Sequence, residues 1–324
     1  MSYVLVIANS VDKHLGLFSD LESDRNSILH YVKFKQVSKW LLPLRRLHLS
    51  HYIYTKSVRL PYRSIWFDYG QYISLNDVKS ILVINGAVGK VDFDFLNKCK
   101  TRGIKIYLLI LDAMRAESDV MKGSRKLFFY KVWDEVFTFD PEDAKRYGFT
   151  YKGFCTYSKN NTFVNRVPVV MNDVYFSGNT KGGRSEIINS TYRCLSGRGC
   201  ICKFDVQKKT NKGDTCNGIN YVEKWIPYEE VLCRMLESNC ILEIIQNNQS
   251  GPSLRYFEAI FYNKKLLTNN KNIEDYPYYN PKWMKTFDSP EEINVEWIKS
   301  HDEVDYQYKG EFSPVNFIKY LLEK

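Results

Sequence analysis

Two loops in the second half of the sequence carry residue types suited to holding a phosphorylated ligand. Residues 246–258 read QNNQSGPSLRYFE: Gln246 opens the loop, Gly251 and Ser253 precede a helix beginning at Leu254, and Arg255 and Glu258 fall inside that helix. First-turn amides of a helix lack intrahelical acceptors and seat an anion, and a guanidinium just inside the turn can neutralise a diphosphate bidentately. Glu258 stands three residues after Arg255, so both share one helix face, where a carboxylate can accept two hydrogen bonds from the vicinal hydroxyls of a ribose. The same pair also reads as a solvated ion pair on an ordinary helix. Residues 178–184, GNTKGGR, form the second loop, with Gly178, Asn179, Lys181 and Arg184 around Gly182 and Gly183. A glycine-rich, cationic strand-to-helix turn can cradle phosphate through its backbone amides, and a flexible surface turn is the plain alternative. Neither loop satisfies GxxxxGK[ST] or GxGxxG.

For proton transfer the candidates lie in the first half. Asp112 immediately follows the strongest apolar run, IKIYLLIL, where a carboxylate can deprotonate an acceptor hydroxyl; its other reading is a helix N-cap ahead of Ala113 and Met114. Asp68 in WFDYG and His14 in the loop after the first strand compete for the role. The one Asp-x-Asp motif, Asp92-Phe93-Asp94, sits in a helix-start sequence, so metal-free chemistry is expected, with no metal and no cofactor. No GxSxG, HExxH or Cys–His nucleophile arrangement occurs. Eight cysteines are scattered without a CxxC pair and read as reduced thiols. Cys194, Cys200, Cys202 and Cys216 fall close together but match no paired-knuckle zinc spacing.

These residues need strands to carry them. Apolar runs at 3–8, 81–85, 104–111 and 135–139 read as buried strands, with helices expected over 20–32, over 36–49 interrupted by Pro43, over 92–102, and after Asp140-Pro141. A second alternation follows: strands at 174–177, 200–206, 241–245 and 265–268, helices at 185–195, 227–237 and 254–262, and closing helices at 290–300 and 314–324. Strands separated by helices indicate parallel sheets covered on both faces. The chain has 324 residues, roughly twice the usual domain size. The patternless polar segment 158–168 marks the boundary. The expected domains are 1–160 and 161–312, the second holding both glycine loops, with 313–324 a closing helix that packs back on the first domain. Ligands of such sheets bind at the carboxyl ends of strands, where both loops and Asp112 fall.

The net charge of +9 is concentrated. Residues 25–67 hold nine Lys and Arg and no Asp or Glu, interleaved with Trp40, Leu41, Leu44, Leu47, Tyr52 and Tyr54. Lys39, Trp40, Arg45 and Arg46 are placed on a face for an anionic membrane or a lipid-linked acceptor. Nucleic acid wants the same cations and aromatics and is the less favoured partner, and a bland basic helix is the third reading. No apolar run is long enough to span a bilayer, and the first residues lack a signal-peptide layout, so the expectation is a cytoplasmic protein, peripheral at the inner membrane face.

The stretch 173–270, with DVYFSGNTKGGR and IPYEEVLCRMLESNCILEIIQNNQSGPSLRYFEAIFYNKKLLTNN, resembles the C-terminal half of bacterial GT-B-type glycosyltransferases of capsule and lipopolysaccharide biosynthesis. DEVFTFDPEDAKRYGF is similar to their segment before the interdomain crossing. The resemblance implies a GT-B-like α/β fold, two Rossmann-like domains facing each other across a cleft. It implies a nucleotide-sugar donor, a UDP-sugar, held mainly by the second domain, with Glu258 on the ribose and the Gly251–Arg255 turn near the diphosphate. A lipid-linked or oligosaccharide acceptor is expected on the first domain. A non-catalytic nucleotide- or glycan-binding protein of the same fold is the reading from another class.

Overall fold

The computed structural model describes residues 2–50, 63–68, 75–114, 125–152, 157–160, 169–208 and 215–324. The chain divides into two compact units, Met1–Ser158 with Glu311–Lys324, and Lys159–Gly310. Among the described residues no helix is long and apolar enough to cross a membrane.

The first unit is built on β1 (Tyr3–Ala8), β2 (Ser27–Tyr31), β3 (Lys33–Phe34), β4 (Phe67–Asp68), β5 (Val78–Ile84), β6 (Lys105–Ile110), β7 (Glu135–Thr138) and β8 (Thr150–Tyr151). Six of these form a parallel sheet in the order β2-β1-β5-β6-β7-β8, while β3 and β4 make a small antiparallel ribbon. Residues 4–8, 80–84 and 106–110 are buried without interruption, as strands covered on both faces must be. Helices α1 (Ser10–His14), α2 (Leu42–His48), α3 (Phe93–Thr101) and α4 (Pro141–Tyr147) belong to this unit. Asp140 caps α4 as its Asp-Pro sequence predicts, accepting from the amides of Glu142 and Asp143.

The same unit takes in the helix Pro314–Glu323, whose Phe317, Ile318 and Leu321 are buried. Phe317 meets Phe137 of β7 edge-on at 5.0 Å, and Lys324 pairs with Glu135. The Tyr157 amide donates to the Phe312 carbonyl at 3.2 Å, joining the two chain segments of the unit just before that helix.

Two expectations change here. Residues 20–32 are not a helix: a short 3₁₀ turn, Ser19–Glu22, leads into β2, which pairs with β1. Asp24 accepts from Asn26 Nδ2 at 3.3 Å and Ser27 Oγ at 3.0 Å, local bonds that offer the chain a turn in place of helix. Pro43 does not interrupt a helix over 36–49 but stands in the first turn of α2, where its missing N–H costs nothing. Residues 51–62, with Tyr52 and Tyr54, and 161–168 of the expected boundary lie outside the described residues.

The second unit carries β9 (Asn172–Asn179), β10 (Cys202–Gln207), β11 (Asn220–Val222), β12 (Ser238–Glu243), β13 (Lys265–Thr268) and β14 (Met284–Thr286), all parallel, in the order β11-β10-β9-β12-β13-β14. Its helices are α5 (Arg184–Gly197), α6 (Tyr228–Leu236), α7 (Leu254–Phe261) and α8 (Val295–Lys299). The chain runs outward from β9 to β10 and β11, then returns to the other side of β9 as β12, so the order reverses between β9 and β12. That is the topological switch point of a Rossmann-like sheet. The short edge strands β11 and β14 are too brief to announce themselves by periodicity. Cys200 precedes β10 instead of sharing a strand face with Cys202. Among the described residues no three His, Cys, Asp or Glu side chains gather as a metal would require.

Candidate functional site

The two loops singled out in the second half leave β9 and β12 at the switch point and meet there. Gly182 and Gly183 both adopt left-handed φ, +66° and +78°. A Cβ on Gly182 would lie 3.0 Å from the Gln246 side chain, and one on Gly183 would lie 2.4 Å from Asn247 Nδ2. Glycine is needed on both counts, because an L side chain would be strained and would collide with the other loop. The Asn247 amide donates to the Gly182 carbonyl at 3.2 Å. Gln246 Oε1 is buried without a hydrogen-bond partner among the described residues.

Arg184 straps the loops together. Its Nε donates to the Lys181 carbonyl at 3.0 Å, one terminal nitrogen to the Ile244 carbonyl at 3.2 Å, and the other to Asn179 Oδ1. Burial pulls its pKa down to about 10. Sequence reasoning offers Arg184 as a donor ligand, but these bonds are spent on protein carbonyls and on Asn179. Asn179 Oδ1 also accepts from the Lys181 amide at 3.0 Å. Gly178 is sterically required as well, since a Cβ there would lie 2.8 Å from Phe176 Cζ. Beside this junction lies a crevice of about 290 Å³ lined by Gly183, Arg184, Glu186, Ile245, Asn247 and Asn269 among others.

Two helix N-termini border the switch point, and they differ. Helix α5 begins after Gly183, which has no side chain to cap it, so the first-turn amides of a 14-residue helix receive no side-chain acceptor. At α7 the Ser253 amide donates to Glu243 Oε1 at 2.9 Å, the Arg255 amide to Ser253 Oγ at 3.2 Å and the Tyr256 amide to the Ser253 carbonyl at 3.2 Å. The sequence-based picture of open amides at Leu254 therefore fits α5 better than α7. Glu243, missed in the sequence, is buried and also accepts from Thr268 Oγ1 at 2.6 Å. It ties the Gly251–Ser253 turn to β12 and β13. Tyr276 and Asn272 donate to the Ser250 carbonyl and hold the turn from its other side.

Glu258 and Arg255 are paired, as their spacing requires, but they are not solvated. The Glu258 side chain is fully buried; Arg255 donates to Oε2, and the Tyr228 hydroxyl donates to Oε1 at 2.8 Å. Burial raises the Glu258 pKa against the opposing pull of Arg255 and the Tyr228 hydroxyl.

In the first unit Asp112 stands at the end of β6, partly buried, where Asn85 Nδ2 at the end of β5 donates to its Oδ2 at 3.0 Å. Asn85 Oδ1 accepts from the Leu111 amide at 3.1 Å, so one side chain fixes both the strand exit and the carboxylate. Burial raises the Asp112 pKa, the Asn85 bond opposing it. The helix that Asp112 was expected to cap would fall largely in 115–124, outside the described residues.

A second carboxylate, Asp12, is absent from the sequence-based candidates. It is 8% exposed, accepts from the Asn9 amide at 2.9 Å in a capping box, and is pushed up to about 6 by burial, with Asp112 adding to the rise and Lys90 opposing it. Asn9 fits against the backbone at Gly86, where a Cβ would lie 1.9 Å from its Nδ2. The signal in the sequence is Asn9 followed three residues later by Asp12, a helix-start pattern that hides a buried acid. His14 lies exposed in the last turn of α1, and Asp68 lies on the β3–β4 ribbon opposite Lys33.

On α2 and the 3₁₀ turn before it, Trp40 is 90% exposed and Leu44 and Leu47 are exposed beside Lys39 and Arg46. Arg45 does not stand free with them: its guanidinium lies 4.8 Å from the Phe34 ring and donates to the Lys35 carbonyl at 3.3 Å.

No family model matches this chain, and no curated protein matches its sequence. Solved structures do match its fold. An alpha-glucosyltransferase in complex with UDP-glucose and DNA containing an abasic site superposes with a TM-score of 0.60 at 12% identity, over 99% of this chain and 98% of the other. The same kind of enzyme with UDP and a 13-mer DNA containing a HMU base gives 0.55 at 12%, with all of both chains covered. A glycotransferase of kitacinnamycin gives 0.51 at 9%, over 99% and 98%. At these identities the likeness is one of fold: two Rossmann-like α/β domains of the GT-B type.

Proposed function

We propose that this chain is a glycosyltransferase that moves a sugar from a UDP-sugar to a hydroxyl acceptor. The observation that carries this reading is the meeting of loops 178–184 and 246–253 at the switch point of the second sheet, beside a crevice and the uncapped N-terminus of α5. The diphosphate sits over that N-terminus and the Lys181 turn, and the ribose reaches Glu258. As the acceptor oxygen bonds to the anomeric carbon, the carbon–oxygen bond to the diphosphate breaks and UDP departs. The acceptor proton passes to a carboxylate acting as general base, for which Asp112 is the first candidate. Helix amides and cationic side chains take up the charge on the leaving diphosphate without a divalent metal.

The acceptor is lipid-linked or an oligosaccharide of surface polysaccharide, met at the inner face of the cell membrane. Exposed Trp40, Leu44 and Leu47 beside Lys39 and Arg46 support this placement. A second reading has one specific observation in its favour: a solved structure of the same fold is bound to DNA, and the acid-free stretch 25–67 suits phosphates equally. A panel of nucleotides and nucleotide sugars in thermal unfolding tests the donor reading. UDP and UDP-sugars raise the melting temperature in the parent and less so in Glu258→Ala; no rise with any UDP-sugar overturns it. Turnover of the bound UDP-sugar separates the enzyme from a binding protein of the same fold. Co-sedimentation with anionic vesicles, set against binding of duplex DNA, decides the acceptor side, with Lys39→Glu/Arg46→Glu as the control.

A further inference from the structure

Helix α6 buries Val231, Leu232 and Met235. Tyr228, its first residue, lies three, four and seven positions before them and so belongs to the same inward stripe. Pro227 stands at the cap position with ψ 137° and starts the helix abruptly at Tyr228. The ring thus occupies a place that an apolar residue would fill, and its hydroxyl ends 2.8 Å from Glu258 Oε1. Glu258 Oε2 is taken by Arg255 from its own helix. The charged and titratable groups facing this pair from the neighbouring elements are Glu243 of β12, Tyr175 of β9, and Tyr262, whose hydroxyl donates to the Asn160 carbonyl at 3.0 Å.

We propose that Tyr228 is the positioning residue that holds the Glu258 carboxylate for the ribose of the donor, so that the donor site takes in α6 as well as α7. The proposal rests on the reading of Glu258 as the ribose acceptor. A carboxylate offers about four lone-pair sites, and Tyr228 and Arg255 use one on each oxygen. Two donors from different helices leave the buried carboxylate a single orientation in which to meet the vicinal hydroxyls. Arg255 alone would leave it free to turn about its last torsion. The Tyr228 hydroxyl also favours the ionised form, which accepts from both ribose hydroxyls; without it Glu258 protonates at higher pH.

The test is calorimetric titration of the full chain with UDP-glucose, whose diphosphate does not change charge across the working range. Parent, Tyr228→Phe and Glu258→Gln are compared from pH 5 to pH 8. Tyr228→Phe keeps the ring and its packing, and is expected to bind about tenfold more weakly. Its affinity should begin to fall with decreasing pH about one pH unit above the parent's. With a 2′,3′-dideoxyribose analogue of UDP-glucose the parent and Tyr228→Phe should bind alike. Affinity lost in Glu258→Gln but unchanged in value and pH profile in Tyr228→Phe overturns this proposal and leaves the donor reading standing. A parent that does not bind UDP-glucose, or a Glu258→Gln variant that binds as the parent does, overturns both.

Discussion

Replacing Asp12 by Asn should stabilise the protein at pH 8 and much less so at pH 4. In the folded chain the Asp12 carboxyl is raised from its ordinary 3.8 to about 6, first by burial and then by Asp112. The folded state therefore binds this proton more tightly than the unfolded chain does. Stability falls as pH rises from about 4 to about 6, and the full cost, about 3 kcal/mol, applies above both values. Asn carries no charge, so that cost disappears. Its side-chain oxygen can still accept from the Asn9 amide, and the preference of that amide for a charged acceptor is already contained in the value of about 6. The net is a gain of up to about 3 kcal/mol at pH 8 that shrinks to less than about 1 kcal/mol at pH 4, where the folded carboxyl is itself neutral. For a unit of this size the gain corresponds to a rise of up to roughly 6–12 °C in melting temperature. Scanning calorimetry of parent and variant at both pH values measures it. A difference between the two proteins that stays constant with pH would refute the reasoning, because only the titration of Asp12 makes it vary. A residue that destabilises its own fold beside Asp112 fits the trade of stability for function, and sugar transfer should drop in the variant as its melting point rises.

Gly183→Ala should weaken UDP-sugar binding at least tenfold and lower the melting temperature, since the new Cβ meets Asn247 Nδ2 at 2.4 Å and φ is +78°; Gly16→Ala, with the same sign of φ but no neighbour within reach, should cost stability without touching binding. Arg184→Lys keeps the charge but cannot span the carbonyls of Lys181 and Ile244 together with Asn179, and should lose about 2–3 kcal/mol of stability with weaker nucleotide binding. Parent-like behaviour of Arg184→Lys would mean that the strap does not hold the loops. Sugar transfer should persist in excess chelator; complete loss restored by magnesium or manganese would refute the metal-independent reading.

The alternation of strands and helices was legible because a parallel strand buried on both faces is written as an unbroken apolar run. Residues 3–8, YVLVIA, and 81–84, ILVI, are read directly on that basis. What escaped was of a different kind. β2 is an edge strand with Ile28 exposed, so its apolar residues are too few to outweigh the helix-like look of residues 20–32. In the candidate site, glycines and charged residues stand out in a sequence, and loops 178–184 and 246–258 were found by them. That the loops meet is a matter of strand order, which no local pattern records. Glu243, Tyr228 and Asp12 escaped because each sits inside a regular element, where a polar residue at a buried position looks like any surface residue until its partners arrive from distant segments. Arg184 and Arg45 show the converse: a cation marked out by its type proves to be held by carbonyls or a ring.

The helix Pro314–Glu323 gives the order of synthesis a role in folding. Every strand of the first sheet has been made by Tyr151, yet the side of β7 that carries Phe137 is covered by Phe317, which leaves the ribosome only after the whole second unit. A growing chain thus holds a paired sheet with one apolar face open while another Rossmann-like unit forms downstream. Such exposed surface is where nascent chains aggregate or engage chaperones. The first unit closes late, when Phe317, Ile318 and Leu321 arrive and the Phe312 carbonyl meets the Tyr157 amide. Because closure waits for the chain beyond Gly310, a product halted within the second unit would display an unfinished first unit, a signal by which quality-control proteases can tell it from a finished molecule.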